Sequence, residues 1–108
     1  MHMDADKQVV YICSRYREDR ENNIRAARRY CRMAVERGCV PIAPHLLLPQ
    51  FMEEETEREA AMEADLVLLS RCDEIWVCGS EISEGMAAEI QFAKEKQMKI
   101  RRIIDVRN

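Results

Sequence analysis

Apolar residues fall in short uninterrupted runs separated by longer stretches where they recur every three or four positions, and this alternation sets the element order. Val9-Val10-Tyr11-Ile12-Cys13 is a continuous β-rich run, the pattern of a strand buried on both faces. A polar loop, Ser14 to Asp19, follows. From Asn22 or Asn23 to Arg37 the positions Ile24, Ala27, Cys31, Ala34 and Val35 keep helical spacing, and Gly38 closes that helix where glycine commonly ends one. Cys39-Val40-Pro41-Ile42 reads as a second strand, placed at a sheet edge because Pro41 lacks a backbone donor. Ala43 to Phe51 reads as a proline-punctuated loop holding Leu46-Leu47-Leu48. A long helix is expected from Glu53 to Arg71, its acidic first turn suited to the positive end of the dipole. Asp73 to Cys78 is the third strand, Gly79 to Ile82 a turn, and Ser83 the N-cap of a helix reaching about Gln97. Lys99 to Ile104 supplies a last strand.

Strand and helix alternate throughout, which predicts an α/β fold: a small doubly wound parallel sheet, flavodoxin-like, with strand order 2-1-3-4 and helices on both faces. Right-handed crossovers then set the Glu53–Arg71 and Ser83–Gln97 helices side by side on one face. Each carries one carboxylate inside its apolar stripe. Glu89 lies three residues after Met86 and four before Ala93; Asp65 lies three after Met62 and four before Leu69. Burying an ionised carboxylate is costly unless something pairs with it or uses it, and perturbed carboxylates cluster at functional sites. A boundary position or a buried salt bridge fits the same spacing. Each acid sits about 9 Å from a helix end at 1.5 Å per residue, so the two are expected to share a cleft.

Composition narrows the function classes. The 108 residues fit one domain, expected over 8–108 behind a disordered segment 1–7. A net charge of −3 argues against a nucleic acid polymer as partner. No apolar run approaches the roughly 20 residues that span a bilayer, and the start carries no apolar signal region, so no membrane partner and a cytoplasmic location are expected. The five cysteines form no CxxC, and His45 is the only histidine away from the start, so neither a metal site nor a cofactor is expected. Cys13 or Cys78 near His45 could act as a thiol nucleophile, although free cysteine more often packs as a small hydrophobe. The row Arg25, Arg28, Arg29, Arg32 reads as a solvated helix face opposite Ile24, Ala27 and Cys31.

Open α/β sheets bind ligands outside the carboxyl ends of their strands, at the switch in strand order. Here that gap lies between the first and third strands, lined by Ser14-Arg15-Tyr16-Arg17, by Pro44-His45 and by the stretch from Gly79 through Ser83 to Gly85. The last stretch opens a helix, where backbone N–H groups favour an anion. Arg15 or Arg17 could supply the forked donor that phosphates prefer. The alternative is an ordinary N-cap serine with solvated arginines. Neither a Walker A sequence nor GxGxxG occurs.

Three stretches taken in order carry a resemblance: Tyr11-Ile12-Cys13-Ser14, then Asp65-Leu66 with Cys72-Asp73 running into a strand, then Ser83-Glu84-Gly85-Met86-Ala87-Ala88-Glu89. Together they resemble the nucleoside 2-deoxyribosyltransferase superfamily, over essentially the whole chain. The resemblance implies cleavage of the N-glycosidic bond of 2′-deoxynucleosides or their 5′-monophosphates. Glu89 would attack the anomeric carbon, Asp65 would handle protons at the leaving base, and Tyr11 would orient Glu89. A nucleoside or nucleotide is the implied small-molecule partner, and Ser14, Arg15, Tyr16, Arg17, His45, Gly79, Ser83 and Gly85 are the candidate binding residues. The transferases carry an aspartate six residues before the nucleophile, where this chain has Ser83; related monophosphate hydrolases have a serine there. The alternative is a non-catalytic nucleotide-binding module of the same fold. A homodimer or higher homo-oligomer is expected, with Leu46, Leu47, Leu48 and Phe51 marking an interface or else covering the domain's own core.

Overall fold

The computed structural model describes residues 5–104. Of the segment expected to be disordered, 1–4 lie outside the described residues, as do 105–108; residues 5–7 are an exposed turn and coil. The chain runs β1 (Val9–Cys13), α1 (Arg20–Glu36), β2 (Val40–Ile42), α2 (Pro44–Leu47), a 3₁₀ turn (Leu48–Gln50), α3 (Arg58–Ser70), β3 (Glu74–Cys78), α4 (Glu84–Glu95) and β4 (Lys99–Ile103). The four strands form one parallel sheet in the order β2-β1-β3-β4, as the alternation predicts. Pro41 does sit on the edge strand, paired in register with Val10.

Because both faces of the sheet are covered, each central strand sends alternate side chains into two cores. Val10, Ile12, Trp76, Cys78 and Ile103 face α1, meeting Tyr30 and Ala34. Tyr11, Cys13, Ile75 and Val77 face the other way, onto Leu69 of α3 and Met86 and Ala93 of α4. α1 lies over β1 and β2. On that face Trp76 is closed off by polar groups: its Nε1 donates to Glu74 Oε1 at 2.7 Å, Arg101 Nε donates to the same oxygen at 3.2 Å, and the Arg37 guanidinium stands 5.6 Å from the ring centroid. A carboxylate shared between two donors satisfies the condition for burying Glu74.

Four places differ from the sequence reading by more than a single residue, each for a local reason. α1 begins at Arg20, before Asn22, because Asn23 N bonds Asp19 O at 3.0 Å and closes the first turn. The stretch 43–51 is not a plain loop: Pro44 occupies the first helical turn, where its fixed φ and missing N–H cost nothing, and starts α2. α3 begins at Arg58 rather than Glu53; Glu57 Oε1 accepts from Glu53 N at 2.8 Å, and Glu54 turns away to two arginines, so the acidic run precedes the helix. α4 stops at Glu95 because Gln97 takes φ 58.

Gly38 ends α1 with φ +79, while Cys39 N bonds Ala34 O at 2.9 Å and Gly38 N bonds Val35 O at 3.0 Å. This pair of bonds closes the helix and sets the chain into β2. A Cβ on Gly38 would meet nothing within 4 Å, so only the left-handed backbone opposes a side chain there. Gly38→Ala is expected to lower stability by about 1 kcal/mol, read as a lower urea midpoint at unchanged slope; an unchanged or raised midpoint would contradict this.

Candidate active site

The site is built from the face of β1 that looks onto α4. Tyr11, 1% exposed, sends its hydroxyl across to Glu89 and donates to Oε2 at 2.8 Å. Asp65 on α3 is the further charge acting on both of them. The two acids inferred from helical spacing act on each other through their charges, since α3 and α4 pack against each other on one face of the sheet.

Burial governs the electrostatics. It pushes Glu89 up to about 7, opposed by the Tyr11 hydrogen bond and reinforced by Asp65. Burial alone pushes Asp65 up to about 6. Two interacting acids titrate as a pair, so near pH 6–7 this pair holds about one proton. Burial, then the charges of Glu89 and Asp65, drive the Tyr11 phenol far up, which leaves it a permanent donor.

The residue that sequence reasoning did not attach to the acids is Cys13. Period-2 alternation puts it on the same strand face as Tyr11, 1% exposed, with Sγ 3.9 Å from Met86 O, one helical turn before Glu89. Burial and Glu89 push its thiol far up, and Cys78 is pushed up to about 12. Both shifts favour the neutral thiol, which is not the nucleophilic form. All five cysteines are free, and the described residues hold no group of three or more acidic, Cys or His side chains able to hold a metal ion.

The candidate binding residues gather in smaller sets. Ser14 Oγ and His45 Nε2 are 2.8 Å apart at the end of β1, and the Tyr16 ring meets His45 edge-on at 6.1 Å. Burial pulls His45 down to about 4, so it stays neutral. Arg15 pairs with Glu81, which ties the β1–α1 loop to the β3–α4 loop. Arg17 is turned elsewhere, bonding Glu54 at 2.7 Å beside Arg20 at 2.8 Å, and these two hold Glu54 below its usual range. The loop's shape is fixed by Asn23, whose amide donates to the carbonyls of Tyr16, Arg17 and Glu18, and by left-handed backbone at Glu18 and Asp19. Ser83 caps α4 by accepting from Met86 N at 3.2 Å; Gly85 has open space where a Cβ would stand, and Gly79 takes φ +93. Leu47 and Phe51 are 54% and 67% exposed, while Leu46 and Leu48 are half-buried. That stretch therefore covers its own domain and also leaves apolar surface in solvent.

A small flavodoxin-like domain with a half-buried glutamate held by a buried tyrosine hydroxyl, and an aspartate on the neighbouring helix, is the class that fold and site define together. The chain belongs to the family described as Domain of unknown function (DUF7768), which matches residues 8–103. It shares the fold of the nucleoside 2-deoxyribosyltransferase superfamily. The 2-desoxiribosyltransferase from Leishmania mexicana superposes with a TM-score of 0.65 at 13% identity, over 90% of this chain and 64% of that one. The 2-deoxyribosyltransferase of Bacillus psychrosaccharolyticus superposes with a TM-score of 0.64 at 17% identity, over 93% of this chain and 77% of that one. The chain thus spans somewhat less than two thirds of the Leishmania protein. No curated protein matches it by sequence. Among the described residues no helix is long and apolar enough to cross a membrane.

The raised Glu89 pKa has a consequence for stability. From about pH 4.5 to 7 the folded protein holds this proton more tightly than the unfolded chain, so the contribution is present below pH 4.5 and lost as pH rises through 7. His45 behaves oppositely: its contribution is present above pH 6.5 and lost as pH falls through 4. Comparing Glu89→Gln with the wild type cancels the histidine. Between pH 4.5 and 8 the wild type is expected to lose about 2–3 kcal/mol relative to the variant in urea titrations; parallel pH curves would show that Glu89 is not held protonated by the fold.

Proposed function

We propose that the domain cleaves the N-glycosidic bond of 2′-deoxynucleosides or their 5′-monophosphates through a covalent intermediate on Glu89. The observation that carries this reading is the 2.8 Å bond from a buried tyrosine hydroxyl to Glu89 with Asp65 beside it. A carboxylate so held is oriented and desolvated, and a second acid stands by to carry a proton. This is the division of labour of retaining glycosidases. The superposed proteins, both deoxyribosyltransferases, support the same reaction class.

In the proposed sequence a Glu89 oxygen bonds the anomeric carbon while the carbon–nitrogen bond breaks. The electron pair leaves with the base, which takes its proton from Asp65. Tyr11 fixes which lone pair of Glu89 points at the sugar and stabilises the carboxylate without itself losing a proton. Water or a second base then attacks the anomeric carbon, Asp65 receives or returns the proton, and Glu89 is released. The one-proton form of the pair predominates between the two raised values; because Glu89 is the higher of the two, that proton rests mostly on Glu89, and attack proceeds from the minor form that carries it on Asp65. A half-buried, neutral His45 bonded to Ser14 offers a polar but uncharged contact to a sugar hydroxyl or a base edge.

The test is incubation with the four deoxynucleosides and their 5′-monophosphates, with and without excess free base, with products separated by chromatography. Base release or exchange is expected, fastest between about pH 6 and 7, and falling by about three orders of magnitude or more in Glu89→Gln. Release from monophosphates would make the protein a nucleotide hydrolase; exchange into new nucleosides would make it a transferase. Absence of any Glu89-dependent turnover would overturn the reading in favour of a nucleotide-binding module.

A further inference from the structure

The proposed reaction leaves one buried protic group beside the acids unused, the thiol of Cys13. Cys13 ends β1 two positions after Tyr11, and such neighbours project from the same strand face about 7 Å apart. Both are 1% exposed, and both pack with Met86 of α4 in one core. The long phenol reaches Glu89 Oε2 at 2.8 Å. The short thiol lies against the α4 backbone instead, with Sγ 3.9 Å from Met86 O. Met86 and Glu89 share a helix face, and the thiol also stands within hydrogen-bonding reach of the Glu89 carboxylate. A single S–H proton thus has two acceptors.

We infer that Cys13 is a positioning residue for Glu89: its thiol donates to the ionised carboxylate as a second, weaker partner beside the Tyr11 hydroxyl, and turns to the Met86 carbonyl when Glu89 is uncharged. Two donors from one strand face hold the carboxylate at two points, whereas one alone leaves it free to turn about the contact. A thiol suits this place because it is a weak donor. A hydroxyl there would bond the carboxylate more strongly, favour its ionised form further and dull it as a nucleophile.

The electrostatics run in the same direction. Burial pushes Glu89 up, Tyr11 of β1 draws it down, Asp65 of α3 pushes it up again and Cys13 draws it down. The thiol is itself pushed up by burial first, then by Glu89 and by Cys78 of β3, and drawn down by Arg102 of β4. It therefore keeps the proton it donates. When Glu89 carries the proposed glycosyl ester its charge is gone, and Met86 O then accepts the S–H so that no buried donor is stranded. The role in turnover rests on the glycosidic reading; the bond to the carboxylate rests on the side-chain cluster alone.

Two measurements on the full chain test this without needing turnover. The infrared S–H stretching band of Cys13, isolated as the difference between wild type and Cys13→Ala, is expected to move to lower frequency as Glu89 ionises and to stay fixed with pH in Glu89→Gln. Glu89 itself would be titrated by carbon NMR with isotope-labelled glutamate. Cys13→Ala is expected to raise its midpoint by about half a pH unit or more, while Cys13→Ser, nearly equal to it in size but with a donor, should bring the midpoint to the wild-type value or below. With a substrate that is turned over, Cys13→Ala should lower kcat about threefold at unchanged KM and move the alkaline limb of the pH profile up by the same interval as the midpoint. Absence of turnover in every protein, with the S–H band still following Glu89, would strike the glycosidic reading while supporting the bond. A band that ignores the ionisation of Glu89 would overturn the inference. So would a Cys13→Ala midpoint at or below that of the wild type, or Cys13→Ala and Cys13→Ser titrating alike.

Discussion

A phenol buried in the middle of β1 and a carboxylate 78 residues further on share one proton-donating contact, and much of the site's geometry follows from it. Glu89 stands on a helix that must lie flat on the sheet to bury Met86 and Ala93. Burial of that helix face brings the carboxylate out of water, where it needs a donor. Tyr11 is the donor, and it can serve only because its own burial keeps the hydroxyl protonated. Removing the hydroxyl would leave Glu89 with its desolvation and less to offset it.

The same contact divides the molecule by face. Tyr11 and Cys13 look onto α3 and α4, while Val10 and Ile12 look onto α1. A chain with period-2 alternation and two covered faces therefore carries two separate chemical settings at one sheet edge. On one face the charges are acidic, half-buried and raised toward neutral pH. On the other they are guanidiniums around an open cleft. The sheet itself separates them, since Val10 and Ile12 point to one face and Tyr11 and Cys13 to the other.

The strand order and the placing of Asp65 and Glu89 on neighbouring helices of one sheet face were legible because they depend on short-range pattern: continuous apolar runs for buried parallel strands and i, i+3, i+4 spacing for a shared helix face. What stayed hidden depends on pairs distant in sequence. The acidic run at Glu53–Glu57 looks like a helix start, yet Glu54 is claimed by Arg17 and Arg20, more than thirty positions earlier. Arg15 is likewise met by Glu81. Period 2 alone could have put Cys13 beside Glu89, since Tyr11 was already assigned to that face.

Mass spectrometry of the protein quenched in acid during turnover, with a slowly hydrolysed 2′-fluoro-arabino nucleoside as substrate, tests the central claim most directly. The account predicts a single pentosyl adduct on the peptide containing Glu89, linked as an ester and absent in Glu89→Gln. Turnover with an adduct on another residue, or with Glu89 unmodified throughout, would contradict it.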